Sequence, residues 1–181
     1  RVRVSSPAPK DLSVNYKNMD FNKINISTIT SKSLREREYI DVFPEYYDLE
    51  KTIENNPWHN NQNVLDHVIC VFTELENILK FKNLGSAQKN LLQKFLSVTI
   101  EKRSRKEILI VSTLLHDIAK TDTLVKLPDG TAYCPGHNLL GAEKVKLFSD
   151  RFGLGKKDEE RVERIIKYHY YISEILNSII T

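Results

Sequence analysis

The chain has 181 residues, of which 40% are hydrophobic and 28% charged, and a formal net charge of +3. That length supports one domain with a real core, and the composition excludes a disordered or fibrous chain. So small a charge permits anionic substrates without demanding nucleic acid, and no apolar run approaches the roughly 20 residues that a membrane span needs.

Residues 1–33 are polar and read as a loosely packed N-terminal extension, with residues 34–181 as the domain proper. The opening RVRVSSPAPK has no apolar stretch behind its charges, so it does not read as a signal peptide. The first residue is Arg and the only Met is Met19, so the chain is not expected to be a raw translation product. A short helix is predicted within 34–55, interrupted at Pro44, and NNPWHNNQN reads as a loop leading into the next helix. From Asn63 to about Phe81, apolar residues recur at spacings of three and four, which predicts an amphipathic helix. Gly85-Ser86 ends it and begins another, AQKNLLQKFLSVTI.

The charged EKRSRKE is either a solvated turn or the first exposed turn of the helix that follows. That helix, EILIVSTLLHDIA over 107–119, is apolar almost all round and belongs at the domain centre. TLVKLPDGTAY predicts a small hairpin or extended loop near 121–134, turning at Pro128-Asp129-Gly130. Helices over about 138–148 and 157–172 complete an all-α bundle of about six helices with one two-stranded excursion. Asp158-Glu159-Glu160, followed by Arg161, Arg164 and Lys167, is the acidic-to-basic gradient that a helix favours. Cys70 and Cys134 are far apart and read as reduced thiols of a cytoplasmic protein.

Four of the five histidines and one aspartate fall where chemistry is expected. His116 and Asp117 are adjacent on the most apolar helix, where an unpartnered charge would be costly. A metal cation resolves that cost, because it needs an imidazole nitrogen and a carboxylate oxygen. His67 shares an inward face with Val64, Val68 and Val71. His169 is flanked at helical spacing by Val162, Ile165, Ile166 and Ile172. His137 lies just ahead of a helix, four residues before Gly141, and the two share a face if both lie in its first turns. Each histidine alone reads as a hydrogen-bonded core residue or a cap; together they share one explanation, a metal site. The fifth, His59, is not needed by the pattern and is expected near the site mouth, with Trp58 beside it as a packing anchor. The run 102–106, KRSRK, bracketed by Glu101 and Glu107, reads as a solvated turn or a nucleic-acid contact.

NVLDHV, LLHDIAK, PGHNLLGAEK and IIKYHYY resemble the HD superfamily of metal-dependent phosphohydrolases over residues of about 57–172. HDIAKTDT and GHNLLGAE are most similar to the HD domain of tRNA nucleotidyltransferases and poly(A)-polymerase-like proteins. The resemblance implies a helical HD fold, with His67, His116 and Asp117 as ligands of a first metal and His137 and His169 as ligands of a second. It implies one or two divalent ions drawn from Mn, Fe, Ni, Co or Zn, with Asp117 also orienting water and Lys120 facing a substrate phosphate.

The expected substrate is a nucleotide, a cyclic phosphate or a phosphodiester, with RNA as a further partner and no membrane. The alternative is a non-catalytic HD module that binds RNA, a nucleotide or a partner. The superfamily commonly adds an aspartate from a helix after the last histidine. No Asp follows Asp158 here, so that helix reads as cut short at Thr181, with Glu174 as a substitute. No DxD pair occurs, so nucleotide addition is not expected.

Overall fold

The computed structural model describes residues 24–57 and 59–171. The expectations for residues 1–23, Trp58, Ile172, Glu174 and the helix beyond them lie outside the described residues.

Helix α1 (Ser31–Arg35) begins at Thr30, whose hydroxyl accepts from the Ser33 backbone N–H in a capping box. Helix α2 (Pro44–Asp48) has Pro44 at its first position, where the missing N–H costs nothing. Pro44 therefore starts a helix rather than interrupting one. Strands β1 (Ile53–Asn56) and β2 (His59–Asn63) pair antiparallel, Ile53 opposite Asn63 and Asn56 opposite His59. The Asn63 side chain then caps α3 (Val64–Ile78) by accepting from the Asp66 N–H.

Helix α4 (Ser86–Ser97) follows and buries none of its residues. Ser104 and Glu107 form a capping box that starts α5 (Arg105–Leu115), so the basic run 102–106 spans the turn into that helix and its first two residues. The remaining elements are α6 (Lys120–Thr123), β3 (Val125–Lys126), β4 (Ala132–Tyr133), α7 (His137–Lys144), α8 (Ser149–Phe152) and α9 (Lys156–Tyr168).

The all-α expectation needs one correction. The hairpin near 121–134 is present, but it joins β1 and β2 in a four-stranded antiparallel sheet of order β2-β1-β4-β3. NNPWHNNQN reads as a loop because it lacks the apolar alternation of a half-buried strand. It is held instead by polar groups. Asn55 Nδ2 donates to the Gly130 carbonyl at 2.9 Å, and Asn56 Nδ2 to the Ala132 carbonyl at 3.2 Å.

The described part of the extension expected over 1–33 is packed rather than loose. Ile24, Ile26, Ile29 and Leu34 are buried in the main core, and the Ile24 N–H donates to the Arg151 carbonyl at 2.7 Å. Those isoleucines stand singly among polar residues, so average composition hides them. The centre of the core is α5, as its all-round apolarity predicts: Val111, Leu114 and Leu115 are at most 1% exposed. It packs between α3 and α9, and α9 packs in turn on α7.

Gly141 makes the last contact close. A methyl group there would meet Ile166 Cγ2 at 3.2 Å, so a packed neighbour accounts for a glycine inside α7. Gly141→Leu is expected to destabilise the fold by about 1–3 kcal/mol through overpacking. It should also separate α7 from α9. Thermal melting and metal titration read the two effects, and an unchanged melting point would refute this account of the contact.

Candidate metal centre

The helix ends bring the predicted residues together. Helix α5 stops at Leu115, so His116 is its C-terminal cap and Asp117 begins a tight turn into α6. The pair is thus not inside a continuous helix over 107–119, and it need not obey helical divergence. His169 caps the C-terminus of α9, His137 opens α7, and His67 lies in the first turns of α3. The C-termini of α5 and α9 thus meet the N-terminal turns of α3 and α7. Val162 and Ile166 are buried beside His169 as predicted, whereas Ile165 is exposed.

Asp117 is at the centre and is 1% exposed. Its Oδ2 lies 3.4 Å from His116 Nε2 and 3.7 Å from His67 Nε2. Its Oδ1 lies 3.3 Å from His137 Nε2 and 4.0 Å from His169 Nε2. One carboxylate therefore faces two imidazole pairs. The candidate ligand atoms of His67, His116 and Asp117 lie within 4.8 Å of one another, as do those of Asp117, His137 and His169.

The proton positions fit a cation. His116 Nδ1 lies 2.8 Å from the Thr113 carbonyl, His137 Nδ1 2.7 Å from the Cys134 carbonyl, and His169 Nδ1 2.6 Å from the Ile166 carbonyl. A carbonyl can only accept, so each Nδ1 carries a proton, which leaves Nε2 as the ligand atom of the neutral ring. His137 Nε2 and His169 Nε2 face each other at 3.4 Å, two lone pairs with no hydrogen between them. Buried Asp117 Oδ2 has no aligned hydrogen bond. Orphaned acceptors converging from four elements are what a metal ion satisfies.

The electrostatics agree. Burial lowers His67 to about 4 against the pull of Asp117. Burial also lowers His137 and His169, so all three rings are neutral at pH 7. Burial alone would raise the Asp117 carboxyl, but His116, Lys120, His137 and His67 together hold it well below the usual carboxylate range.

Lys120 does not point into the pocket as an unpaired cation. It is 4% exposed, with Nζ 2.5 Å from Glu54 Oε2 and 3.0 Å from Asp117 Oδ2. Burial would lower its pKa, but the two carboxylates raise it. Glu54 is the residue that sequence reasoning missed. In TIENN the apolar Ile53 would be placed inward, yet the strand exposes Ile53 and buries Glu54. No signal in the sequence marks that inversion.

His59 lies at the mouth as expected. Its ring meets His67 edge-on at 4.7 Å between centroids, and its Nε2 lies 3.7 Å from Glu54 Oε2. Asn56, Thr131, Tyr133, Cys134, Asn138 and Tyr170 are among the further residues that line a cavity of about 850 Å³. Cys134 is buried and Cys70 exposed, and both are free thiols. Among the described residues no helix is long and apolar enough to cross a membrane.

Comparison with known proteins places this geometry. The sequence model of the HD domain matches residues 64–177. The bifunctional uridylyltransferase/uridylyl-removing enzyme of Ruegeria pomeroyi is 28% identical over 132 residues, which make up 73% of this chain and 13% of that protein. The chain thus spans only a small part of that relative's length. No solved structure matches. The stretch from 64 to 177 takes in His67, the His116-Asp117 pair, His137 and His169, and the chain belongs to the HD domain family.

Proposed function

We propose that the chain is a metal-dependent phosphohydrolase, with His67, His116 and Asp117 holding one divalent ion and Asp117, His137 and His169 a second. The observation that carries this reading is the buried Asp117 carboxylate, whose two oxygens each face the Nε2 atoms of a pair of histidines. Imidazole and carboxylate donors suit Mn, Fe, Ni, Co or Zn and argue against calcium. A divalent metal held there supplies a water acidic enough to ionise near pH 7.

The protein's own groups do the rest. The Nδ1–H···O=C bonds lock the rings in the tautomer that binds, before any ion arrives. Lys120 has three N–H donors: Glu54 accepts one, and a second offsets the Asp117 charge at 3.0 Å without an aligned hydrogen bond. The third is available to a phosphoryl oxygen from the cavity wall, where it offsets charge as the phosphorus is attacked. Asp117, within reach of both sites, also orients the attacking water.

The substrate class that fits is a nucleotide, a cyclic phosphate or a phosphodiester. The Ruegeria relative's name includes removal of a uridylyl group, and freeing a uridylyl group with water breaks a phosphorus–oxygen bond. That supports the reaction type rather than a particular substrate.

The test is elemental analysis of the purified chain together with hydrolysis of bis(p-nitrophenyl) phosphate in the presence of each candidate metal. Two ions per chain and turnover are expected. His169→Ala should lower the content to one ion and leave the His67–His116–Asp117 group filled. A chain that binds no metal after reconstitution is a binding module and not this enzyme, and turnover that survives His116→Ala would overturn the assignment of the activity to this site.

A further inference from the structure

We propose that Glu54 is a positioning residue for the metal centre, holding the Lys120 ammonium so that it does not close on Asp117 and displace the cation there. This rests on the reading of the His/Asp cluster as a metal site. Lys120 Nζ touches Asp117 at Oδ2, the same oxygen that faces His67 and His116. An ammonium and a divalent ion thus compete for one carboxylate oxygen. Their balance depends on the second anion within reach of Lys120.

That anion is Glu54, in β1, 66 residues away in sequence and 2.5 Å away in space. Its side chain is as buried as that of Lys120, at 6% exposure each, so solvent does not weaken the pairing as it does at a surface. The strand is fixed there by contacts other than the Glu54–Lys120 pair. Asn55 and Asn56 tie it to the second hairpin, and the neighbouring Thr52 hydroxyl pairs with Thr121 at 2.9 Å, next to Lys120 itself. The sheet therefore acts as a fixed post from which Glu54 draws the ammonium off Asp117.

Remove that carboxylate and Lys120 keeps one buried anion, Asp117. A buried cation closes on whatever charge remains. Oδ2 then becomes half of a tight ion pair, and metal binding has to break it.

The experiment is calorimetric titration of the whole chain with Mn²⁺ for the unsubstituted protein, Glu54→Gln, Lys120→Met and the double variant. Glu54→Gln is expected to weaken Mn²⁺ binding about 10- to 100-fold, the range seen when a partner behind a metal ligand is lost. Lys120→Met in that background should restore the affinity of Lys120→Met alone, because there is no longer an ammonium to hold back. A Glu54→Gln chain that binds Mn²⁺ as tightly as the unsubstituted protein overturns the proposal. So does a loss that persists in full in the double variant, which would make Glu54 a direct electrostatic or structural contributor.

Glu54→Asp keeps the charge but shortens the reach. It is expected to weaken binding in the same direction, and it carries the test if Glu54→Gln does not fold. Failure of the unsubstituted chain itself to bind Mn²⁺ is a different result, and it overturns the metal-centre reading and this proposal together.

Discussion

Asp117→Asn is expected to empty the metal centre while leaving the fold intact. The asparagine has the same shape, so the tight turn between α5 and α6 is kept. It replaces one carboxylate oxygen with an amide donor, and that donor lies among four Nε2 atoms placed 3.3–4.0 Å from the carboxylate, those of His137 and His169 bare lone pairs. In the metal-free chain this substitution supplies a hydrogen to lone pairs that have none. Melting of the metal-free protein should therefore move little, within the roughly 2–4 °C that 1 kcal/mol corresponds to in a chain of this size.

Metal content should collapse, because both groups of candidate ligands share this one residue. Hydrolysis should fall at least about 100-fold, the upper end of what losing a mere outer partner of a ligand costs. Elemental analysis and a melting curve on the same sample decide the matter. A variant that keeps its metal would show that Asp117 is not at the centre. A variant that unfolds would make the residue a structural counter-ion for Lys120 and nothing more.

The residues of this centre were legible in the sequence because a buried charge has few explanations. His116-Asp117 stands in an apolar segment, and His67 and His169 follow apolar residues at helical spacing, so their inward direction could be read from one strand of text. The packing partner of Gly141 was legible in kind, as a close neighbour, but not in identity.

What could not be read was anything that depends on two distant segments meeting. Glu54 belongs to the site only because β1 pairs with β4, 76 residues further on, through asparagine amides that look like loop chemistry. The isoleucines at 24, 26 and 29 join the core through segments distant in sequence, among them α3, α5 and α8. The end of α5 at Leu115 was hidden because HDIA continues the apolar pattern after the backbone has turned. Local periodicity reports which face is apolar; it does not report where a helix stops or which strand will lie beside it.

Asp158 shows the same limit, and it carries the largest expected effect on stability. In the sequence it is the first member of an acidic run that suits the start of a helix. In the fold it is fully buried and accepts three backbone N–H groups: Gly155 at 2.9 Å, Glu101 at 3.0 Å and Lys102 at 2.9 Å. The first closes the N-terminus of α9. The other two belong to the turn that leads into α5. Glu101 answers in kind, its carboxylate accepting the Lys157 N–H at 2.7 Å.

The N-termini of α5 and α9 are thus clamped together by one side chain, and the far ends of the same two helices carry His116 and His169, their rings 5.3 Å apart. Asp158→Ala leaves those three donors without their acceptor, the Gly155 N–H in a buried place. It should cost about 3–5 kcal/mol, since a hydrogen bond to a charged group contributes about 1.5–3 kcal/mol and such losses do not add fully. For a chain of this size that is a drop of about 6–20 °C in melting temperature. Asp158→Asn keeps one acceptor oxygen and should fall between the two. Because the clamp sets the angle at which the helices reach the centre, metal affinity should weaken in step with stability although Asp158 touches no candidate ligand. A melting point lowered by less than about 2 °C in Asp158→Ala, under 1 kcal/mol on that scale, would mean that the turn over 99–104 holds its place without the carboxylate.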